Sequence, residues 1–428
     1  LKNVRTFKER ESKMTKNEKI KKTLNETKEK RKNQIPVVYQ LKVNLKSVDK
    51  MARKRLFLLF LEAKWFYNYL VADIQNRVSD DAYKIEKVTI KVGDTYEERN
   101  ILNLSSHMKQ SIISRIKQNL YSLHKKKEKG QKVGKLKFKK KVNSIPLKQY
   151  GNTFKFKNKN KTQIKIQGFK KPFRVLGGHQ IPQDAEIAKA EIVKKGPSIY
   201  IYVTCYINKQ KYDKTRKNIV HNFGISAGID FKPSGIVLSS GIKVEWRIEE
   251  TKRLKKLQRK LSRQKKYSKN WYKTIEKINK EHKKIDNIKA DIINKVTAFL
   301  SYYKKVVFQD DDIASWKEDK FSKSVHYSSV GEIKRRLRNS LYPAVEVVDK
   351  YIPTTKTCSQ CGNVQEISLA ERTYKCSKCG LQIDRDLNSA INMLKVVGLD
   401  RPEVTPVERK TSARILGSSP YILVSFLQ

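Results

Sequence analysis

The sequence lacks any long hydrophobic run, and this absence sets the first limit on function. Its longest uninterrupted apolar stretch is LFLLFL at 56–61, far short of the ~20 residues that cross a bilayer as a helix. The N-terminal segment is charged throughout, which predicts that it contains no signal peptide. We therefore expect a cytoplasmic protein that works without a membrane.

Cysteine is also scarce, with five residues in a chain of 428. Four of them fall between Cys358 and Cys379, and the fifth, Cys205, lies in an apolar stretch. This usage argues against a disulfide framework and predicts a reducing compartment with one metal site.

Acidic residues are few relative to basic ones: 42 Asp and Glu against 95 Lys and Arg, a net charge of +53. A chain this basic is expected to bind a polyanion, with nucleic acid as the leading candidate and an anionic membrane surface as the alternative. The length allows roughly two to four domains with a sizeable core.

The first half of the chain changes character several times. Residues 1–34 are almost wholly polar and predict a basic flexible arm that either folds on nucleic acid or stays solvated. A strand region at 35–50 precedes a helical region at 51–124. Period-two alternation over 125–215 then predicts a small sheet or barrel. Its lysines face either a nucleic-acid backbone or only solvent, and the candidates are Lys137, Lys139, Lys155 and Lys157.

A strongly basic helix is predicted within residues 247–300. Leu254, Leu257 and Leu261 form one apolar stripe on this helix. The rest of its surface is positive and suits phosphate contacts, although a solvated face is the alternative. The candidate contacts are Arg253, Lys256, Arg259, Lys260 and Arg263. Beyond it, 303–309 and 343–351 predict strands, and residues 401–428 predict a disordered tail.

The four clustered cysteines have the spacing of a zinc site. Cys358 and Cys361 form one CxxC pair, and Cys376 and Cys379 form a second pair after fourteen intervening residues. Four thiolates complete a tetrahedral zinc site with no open position, so the zinc is predicted to be structural and not catalytic.

Three acidic stretches lie far apart in the sequence, each beside an apolar strand or helix. They are 221–241, 306–316 and 382–394. Nucleases that use two metal ions need carboxylates converging from separate strands, and such oxygen-rich sites suit Mg²⁺. Asp386 also stands at a predicted helix start, so the alternative to a metal ligand at this position is a helix cap.

The order of these segments resembles the TnpB proteins of insertion sequences and their relatives, the miniature type V CRISPR effectors. The matching stretches are KVGKLKFKKKVNSIPLKQYG, TKRLKKLQRKLSRQKKYSKN, VVFQDDDIASW, TKTCSQCGNVQEISL and CSKCGLQIDRDLNSAIN. The resemblance implies a multidomain fold of α/β plus β-barrel class. It contains a wedge β-barrel (35–50 and 125–215), a helical recognition domain (51–124), a RuvC-like domain of RNase H fold (216–350 and 382–400) and an inserted zinc ribbon (351–381).

The resemblance also implies a catalytic set of Asp, Glu and Asp. The last of these maps onto Asp386, and the Glu position holds Asp311. For the first, the pattern G-I-D-x-G-I matches residues 224–229 at every position but the acid, which is Ser226. The rival register places Asp230 there, but it lacks the second glycine. We favour Ser226, so that two of three catalytic positions are altered.

With two of three catalytic positions altered, the resemblance implies an RNA-guided DNA-binding protein whose RuvC-like nuclease site is degenerate. It is expected to bind a guide RNA and double-stranded DNA with a short flanking motif, and to exclude RNA polymerase from a promoter in a prokaryotic nucleoid, as a monomer or homodimer. One alternative is an active endonuclease that uses Mg²⁺ with Asp230, Asp311 and Asp386. Another is an unguided zinc-ribbon binder of nucleic acid.

Overall fold

The computed structural model divides the chain into two compact units, residues 1–213 and 214–428. The residues that it describes are 15–212, 223–313, 315–317, 325, 327–340, 343–368, 370–403 and 405–427. In the part of the chain so described, no helix combines the length and the apolarity needed to cross a membrane.

The first unit contains a seven-stranded antiparallel sheet and several helices. Its helices are α1 Lys16–Lys32, α2 Lys50–Ala72, α3 Ile74–Arg77 and α4 Ser106–Glu128. Its strands are β1 Gln34–Val43, β2 Lys87–Val92, β3 Thr95–Asn100, β4 Ser144–Leu147, β5 Phe154–Phe156, β6 Gln163–Ile166, β7 Phe173–Leu176, β8 Glu186–Lys195 and β9 Ser198–Asn208.

The large sheet has the strand order β4-β8-β9-β1-β7-β6-β5. This agrees with the predicted barrel-like sheet, although β4 and β5 remain its two edges. Helix α2 begins where the Asp49 side chain accepts a hydrogen bond from the backbone N–H of Ala52 at 2.7 Å. Leu59 and Phe66 of this helix are fully buried in the core, whereas Leu61 is 38% exposed.

Two details of the first unit differ from the sequence expectations. Of the predicted flexible arm, residues 1–14 lie outside the described residues, but Lys16–Lys32 is a helix with a capping box between Thr15 and Glu18. Reciprocal capping supplies hydrogen bonds that composition alone does not reveal. The helical region at 51–124 also contains the β2–β3 hairpin.

The second unit is built on a six-stranded mixed sheet. Its helices are α5 Lys252–Ser262, α6 Lys269–Leu300, α7 Val330–Arg338, α8 Arg385–Val396 and α9 Pro406–Leu416. Its strands are β10 Ser226–Lys232, β11 Gly235–Leu238, β12 Ile242–Trp246, β13 Lys305–Gln309, β14 Ala344–Val348, β15 Thr373–Lys375, β16 Gln382–Asp384 and β17 Ile422–Phe426.

The order of this sheet is β14-β13-β10-β11-β12-β17. Strands β10, β11 and β12 are antiparallel neighbours, while β13 and β14 run parallel to β10. This pattern is consistent with the RNase H fold that the resemblance implies. Phe299 and Tyr303, at and just after the end of α6, are fully buried in its core.

The prediction of a disordered tail at 401–428 is wrong. Helix α9 starts with a capping box between Thr405 and Glu408, and Leu416 at its end is fully buried. Strand β17 then pairs with β12 from Ile422 to Phe426. The prolines suggested disorder, but Pro406 occupies the first helical turn, where a missing N–H costs no hydrogen bond.

Candidate functional site

Strand β10 places Asp230, and not Ser226, at the acidic site. Ser226 pairs with Lys305 at the start of the parallel strand β13, whereas Ile229 pairs with Phe308 near its end. Asp230 therefore reaches the edge from which the chain leaves β13 toward Asp311. The prediction of Ser226 as the first triad position is wrong. Positions four apart share a face of a strand, so alternation did not distinguish the two registers.

Asp386 reaches the same edge from helix α8. The cap of this helix is Asp384, whose carboxylate accepts hydrogen bonds from the backbone N–H groups of Asp386 at 2.9 Å and Leu387 at 3.0 Å. The Asp386 side chain is thus not needed as a cap. Gly228 allows α8 to lie against β10, because a Cβ there would stand 1.9 Å from the carbonyl oxygen of Ala390.

Asp311 follows β13 and forms an ion pair with Lys334 of α7. The Lys334 side chain is only 4% exposed, and its ammonium group also donates to the carbonyl oxygen of Gln309 at 3.0 Å. That ammonium group lies 4.8 Å from the centre of the Phe231 ring. Three contacts therefore hold the Lys334 ammonium group beside Asp311, while its burial lowers the pKa of Lys334.

Asp386 is held by a second internal cation, Lys232. The Lys232 ammonium nitrogen lies 2.5 Å from Oδ2 of Asp386, and the two side chains are 19% and 10% exposed. A guanidinium nitrogen of Arg385 lies 3.4 Å from the other carboxylate oxygen. Lys232 stands two residues after Asp230, where the family pattern G-I-D-x-G-I has glycine.

Asp230 is the third aspartate at this edge of the sheet. Its burial, with smaller contributions from the charges of Asp386 and Asp311, raises its pKa to about 7. Ser389 donates a hydrogen bond to it at 3.3 Å. Asp386 and Asp311 are thus close enough to Asp230 to act on its carboxyl group, which is the grouping of the rival register and not of the favoured one with Ser226.

As arranged, these residues do not fit a pair of Mg²⁺ ions. Such a site needs carboxylate oxygens converging on the metal with uncompensated negative charge. Here Asp311 and Asp386 each bind a lysine ammonium group of the same chain. Among the described residues, the four cysteines are the one group of three or more acids, histidines or cysteines whose ligand atoms lie within 4.8 Å of one another.

The four predicted cysteine ligands do meet, and they could hold a metal such as zinc. Their sulfur atoms lie within 4.8 Å of one another, with 3.6 Å between Cys358 and Cys379 and between Cys361 and Cys376. Zn–S bonds of ~2.3 Å in a tetrahedron require sulfurs ~3.8 Å apart.

The two halves of the cysteine site repeat one local geometry. Gly362 and Gly380 each follow a CxxC pair with φ of 73°, in the left-handed region that glycine adopts without strain. The N–H of each glycine donates at 3.0 Å to the carbonyl oxygen of the first cysteine of its pair, Cys358 or Cys376. The matching turns aim two pairs of sulfurs at one point.

Two asparagines of α8, which the sequence reasoning missed, tie this cysteine site to the acidic site. Asn388 is fully buried, donates to the carbonyl oxygen of Thr357 at 2.7 Å and accepts from the N–H of Ser359 at 2.8 Å. Asn392 donates to the same carbonyl oxygen at 2.6 Å. Helix α8 therefore carries Asp386 and also anchors the segment that leads into the first CxxC pair.

The predicted phosphate-binding residues of α5 are on its exposed side. Leu254 is fully buried, while Leu257 and Leu261 pack beside it against α6. The exposed residues are Arg253, Lys256, Arg259, Lys260 and Arg263. One of them, Arg253, lies 3.5 Å from Glu281, so its charge is partly compensated within the chain.

The basic residues predicted for the first unit are less uniform. Lys155 is exposed within β5, and Lys157 is exposed just after it. Lys137 is exposed but lies outside any strand, so the predicted strand at this point is wrong. Lys139 is half-buried, with its ammonium group 3.9 Å from the centre of the Tyr67 ring. Packing against the α2 aromatic ring removes it from the outer face.

Comparison with known proteins gives matches to one group. Residues 340–393 match a family model described as "Cas12f1-like, TNB domain". A "Putative RNA-guided DNA endonuclease" of Streptomyces pristinaespiralis is 31% identical over 40% of this chain and 44% of its own length. A second protein so described, InsQ of Escherichia coli, is 28% identical over 33% of this chain and 40% of its own length.

Two further matches differ in extent. A TnpB-like protein of Acanthamoeba polyphaga mimivirus is 49% identical over 49 residues, which are 11% of this chain and 9% of that protein. The match to a cryo-EM structure of a Cas12f1-sgRNA-target DNA complex covers 84% of this chain and 99% of that chain at 13% identity, with a TM-score of 0.44. The chain spans less than half the length of the curated relatives it matches.

The family model and the relatives agree with the motif order found in the sequence. The match at 340–393 contains all four cysteines and Asp386. Of the three relatives just described, one is named TnpB-like and two are named as putative RNA-guided DNA endonucleases. The chain is thus similar to the Cas12f1-like TNB domain over its cysteine segment, and over part of its length to TnpB-like proteins and to proteins named as RNA-guided DNA endonucleases.

Proposed function

We propose that this protein is an RNA-guided, sequence-specific binder of double-stranded DNA that represses transcription by occupying a promoter, without cutting the DNA. The similarity to proteins named as RNA-guided DNA endonucleases and the net charge of +53 support the guide RNA and DNA as partners. Base pairing with the guide selects the sequence, while the protein holds the backbones and reads a short flanking motif. The bound complex acts at the nucleoid by excluding RNA polymerase.

The observation that carries the loss of cleavage is the pairing of two acidic positions with lysines of the same chain. Lys334 contacts Asp311, and Lys232 contacts Asp386. A nuclease of this class depends on metal ions at these carboxylates. An ammonium group on each one supplies a positive charge but no Lewis acid and no activated water, so the site keeps its fold without its chemistry.

Zinc is the metal proposed for the four cysteines. Four thiolates leave no open coordination position, so the ion acts through structure alone. It holds the segment between β14 and α8, and the hydrogen bonds of Asn388 connect that segment to the helix that carries Asp386. The proposed zinc therefore supports the shape of the degenerate site.

Sequencing the RNA that copurifies with the protein tests the guide. We expect one discrete RNA whose guide segment matches a promoter in the host. The reconstituted complex should then retard matched DNA in a gel, leave DNA with a scrambled target free, and cleave neither in Mg²⁺ or Mn²⁺. Sequence-specific DNA binding by RNase-treated protein would instead support an unguided zinc-ribbon binder.

The proximity of Asp230 to Asp311 and Asp386 favours a second candidate function. With Asp230 in place, all three positions of the set hold carboxyl groups, as an active Mg²⁺-dependent RNA-guided endonuclease of a mobile element would require. Cleavage of matched DNA by the complex, abolished by Asp386→Ala, would establish this alternative and exclude the repressor. A guide matching the junction of a mobile element would point the same way.

A further inference from the structure

The turn between α5 and α6 contains a residue in an unusual backbone conformation. Tyr267 has φ of 67°, in the left-handed region where a side chain with a Cβ is disfavoured and glycine is the usual occupant. Among the described residues other than glycine, only Lys161 and Ser329 also have a positive φ. Backbone strain of this kind concentrates at functional positions, which raises the question of what the Tyr267 side chain does.

The Tyr267 side chain belongs to an aromatic cluster with Trp271 and Tyr272. The ring centres of Tyr267 and Trp271 are 5.4 Å apart, and those of Trp271 and Tyr272 are 5.1 Å apart with an angle of 84° between their planes. Tyr267 is 73% exposed and Tyr272 is 55% exposed. The three rings therefore meet at the surface and not in the core, where aromatic residues of this unit such as Phe299 lie.

The chain around this cluster is strongly positive, and Glu276, the first acidic residue after it, forms an ion pair with Lys280. The segment 252–275 contains eleven Lys and Arg residues and no Asp or Glu. Lys265, Lys266, Lys269 and Lys273 flank the three rings and are exposed. Exposed rings among uncompensated positive charges suit a ligand with flat apolar faces on a polyanionic backbone. An apolar protein segment would gain nothing from the charges.

We propose that Tyr267, Trp271 and Tyr272 form a stacking platform for an unpaired nucleobase, with the neighbouring lysines holding the adjacent phosphates. The inference rests on the proposed function insofar as that function supplies single-stranded nucleic acid. Base–aromatic stacking tolerates every base, because each base has a π-face. The platform therefore adds affinity at an unpaired position without adding sequence preference. The unpaired base comes from RNA or from a displaced DNA strand.

Tyr267→Gly separates stacking from structure, because the two roles predict opposite effects. Glycine adopts a φ of 67° without strain, so the variant should unfold at an equal or higher denaturant concentration than the parent chain. If the ring stacks on a base, the same variant should bind more weakly by about 5-fold or more. A purely structural role for Tyr267 would not combine retained stability with lost affinity.

The measurement is fluorescence anisotropy of the full chain with three labelled 20-nucleotide probes: oligoadenylate RNA, oligodeoxyadenylate DNA, and an abasic DNA that offers phosphates alone. We expect Tyr267→Gly to lose affinity for the RNA or the DNA that carries bases, but not for the abasic DNA. Tyr267→Phe, which keeps an aromatic ring, should bind these probes like the parent chain. Tyr351→Ala, at a tyrosine that is 81% exposed outside the cluster, is the matched control. The RNA and DNA arms identify the source of the base.

Equal binding of all probes by Tyr267→Gly and the parent chain would overturn the platform, as would an equal loss on the abasic probe. Neither result bears on guided DNA recognition, which the copurifying RNA and the promoter-binding assay report separately. Conversely, a chain that carries no discrete guide but loses stacking affinity in Tyr267→Gly would refute the proposed function and retain the platform.

Discussion

The ammonium nitrogen of Lys232 lies 2.5 Å from the carboxylate of Asp386. This contact joins the hairpin of β10 and β11 to the first turn of α8, across the edge where the three aspartates meet. Lys334 makes the equivalent contact with Asp311 from α7. Two of the three acidic positions are therefore neutralised by the chain's own side chains, which gives the site a defined electrostatic state that can be tested.

Removing both lysines should restore the ability of the site to bind a divalent cation. In Lys232→Gly with Lys334→Gln, Asp311 and Asp386 lose their partners, so Mn²⁺ should raise the unfolding midpoint of the variant. At a Mn²⁺ concentration of about 100 times Kd the gain is about 2.7 kcal/mol. The parent chain should not respond to Mn²⁺ at this site. Lys305→Gln, which breaks the pair with Glu346 at the opposite end of β13, is the control and should behave like the parent.

The pKa of Asp230 predicts a pH-dependent stability. Because burial raises that pKa from 3.8 to about 7, the folded chain retains a proton that the unfolded chain releases. Asp230 therefore does not lower the free energy of unfolding below pH ~4. Its destabilising effect grows as the pH rises and reaches its maximum above pH ~7. Asp230→Asn should be more stable than the parent by at most about 4 kcal/mol at pH 8. Urea unfolding between pH 4 and 8 measures this, and a constant difference would contradict it. Asp400→Asn, at an exposed position, is the control.

The cysteine cluster predicts one metal ion per chain. We expect about one zinc by elemental analysis of the purified protein, released on titration with a thiol-blocking reagent. Cys376→Ser should lose the ion and, with it, protection of residues 354–384 from proteolysis, because the metal supplies folding energy to such segments. Cys205→Ala should keep the ion, since Cys205 is buried in the core of the first unit and is not one of the four clustered cysteines. Loss of zinc in Cys205→Ala would contradict the assignment.

The C-terminal helix predicts a stability effect that a disordered tail would not show. Leu416 is fully buried, so Leu416→Ala should lower the free energy of unfolding of the second unit by about 2–5 kcal/mol. Leu423 in β17 is 65% exposed, and Leu423→Ala should change the free energy of unfolding by less than about 0.5 kcal/mol. Chemical denaturation of both variants makes the comparison, and equal effects would count against the packing of α9.

Local signals made the cysteine site and two of the acidic positions predictable. A CxxC pair specifies its own turn, as the repeated hydrogen bonds of Gly362 and Gly380 show. Asp311 follows an apolar strand and Asp386 begins a helix, so each is marked by its neighbours. The register at β10 was not predictable in this way, because Ser226 and Asp230 project from the same face of one strand and differ only in their position along it.

Long-range relationships account for what the sequence did not reveal. Lys232 could have been noticed, since it replaces a glycine of the family pattern two residues after Asp230. Lys334 carries no such signal, because its partner Asp311 comes from another element and only the packing of α7 brings them together. The order in the C-terminal region likewise depends on β12, which supplies the hydrogen bonds that make β17 a strand.

The pairing of β12 with β17 has a consequence for the nascent chain. Ile242 and Phe426 stand opposite each other in the β12–β17 ladder although they are roughly 180 residues apart in sequence, so β12 presents unpaired backbone groups during synthesis of all the intervening residues. An open strand edge of this kind is a template for intermolecular pairing, and contacts this distant in sequence form slowly. Premature release or rapid overproduction should therefore yield insoluble chains joined through β12, which slower synthesis would relieve.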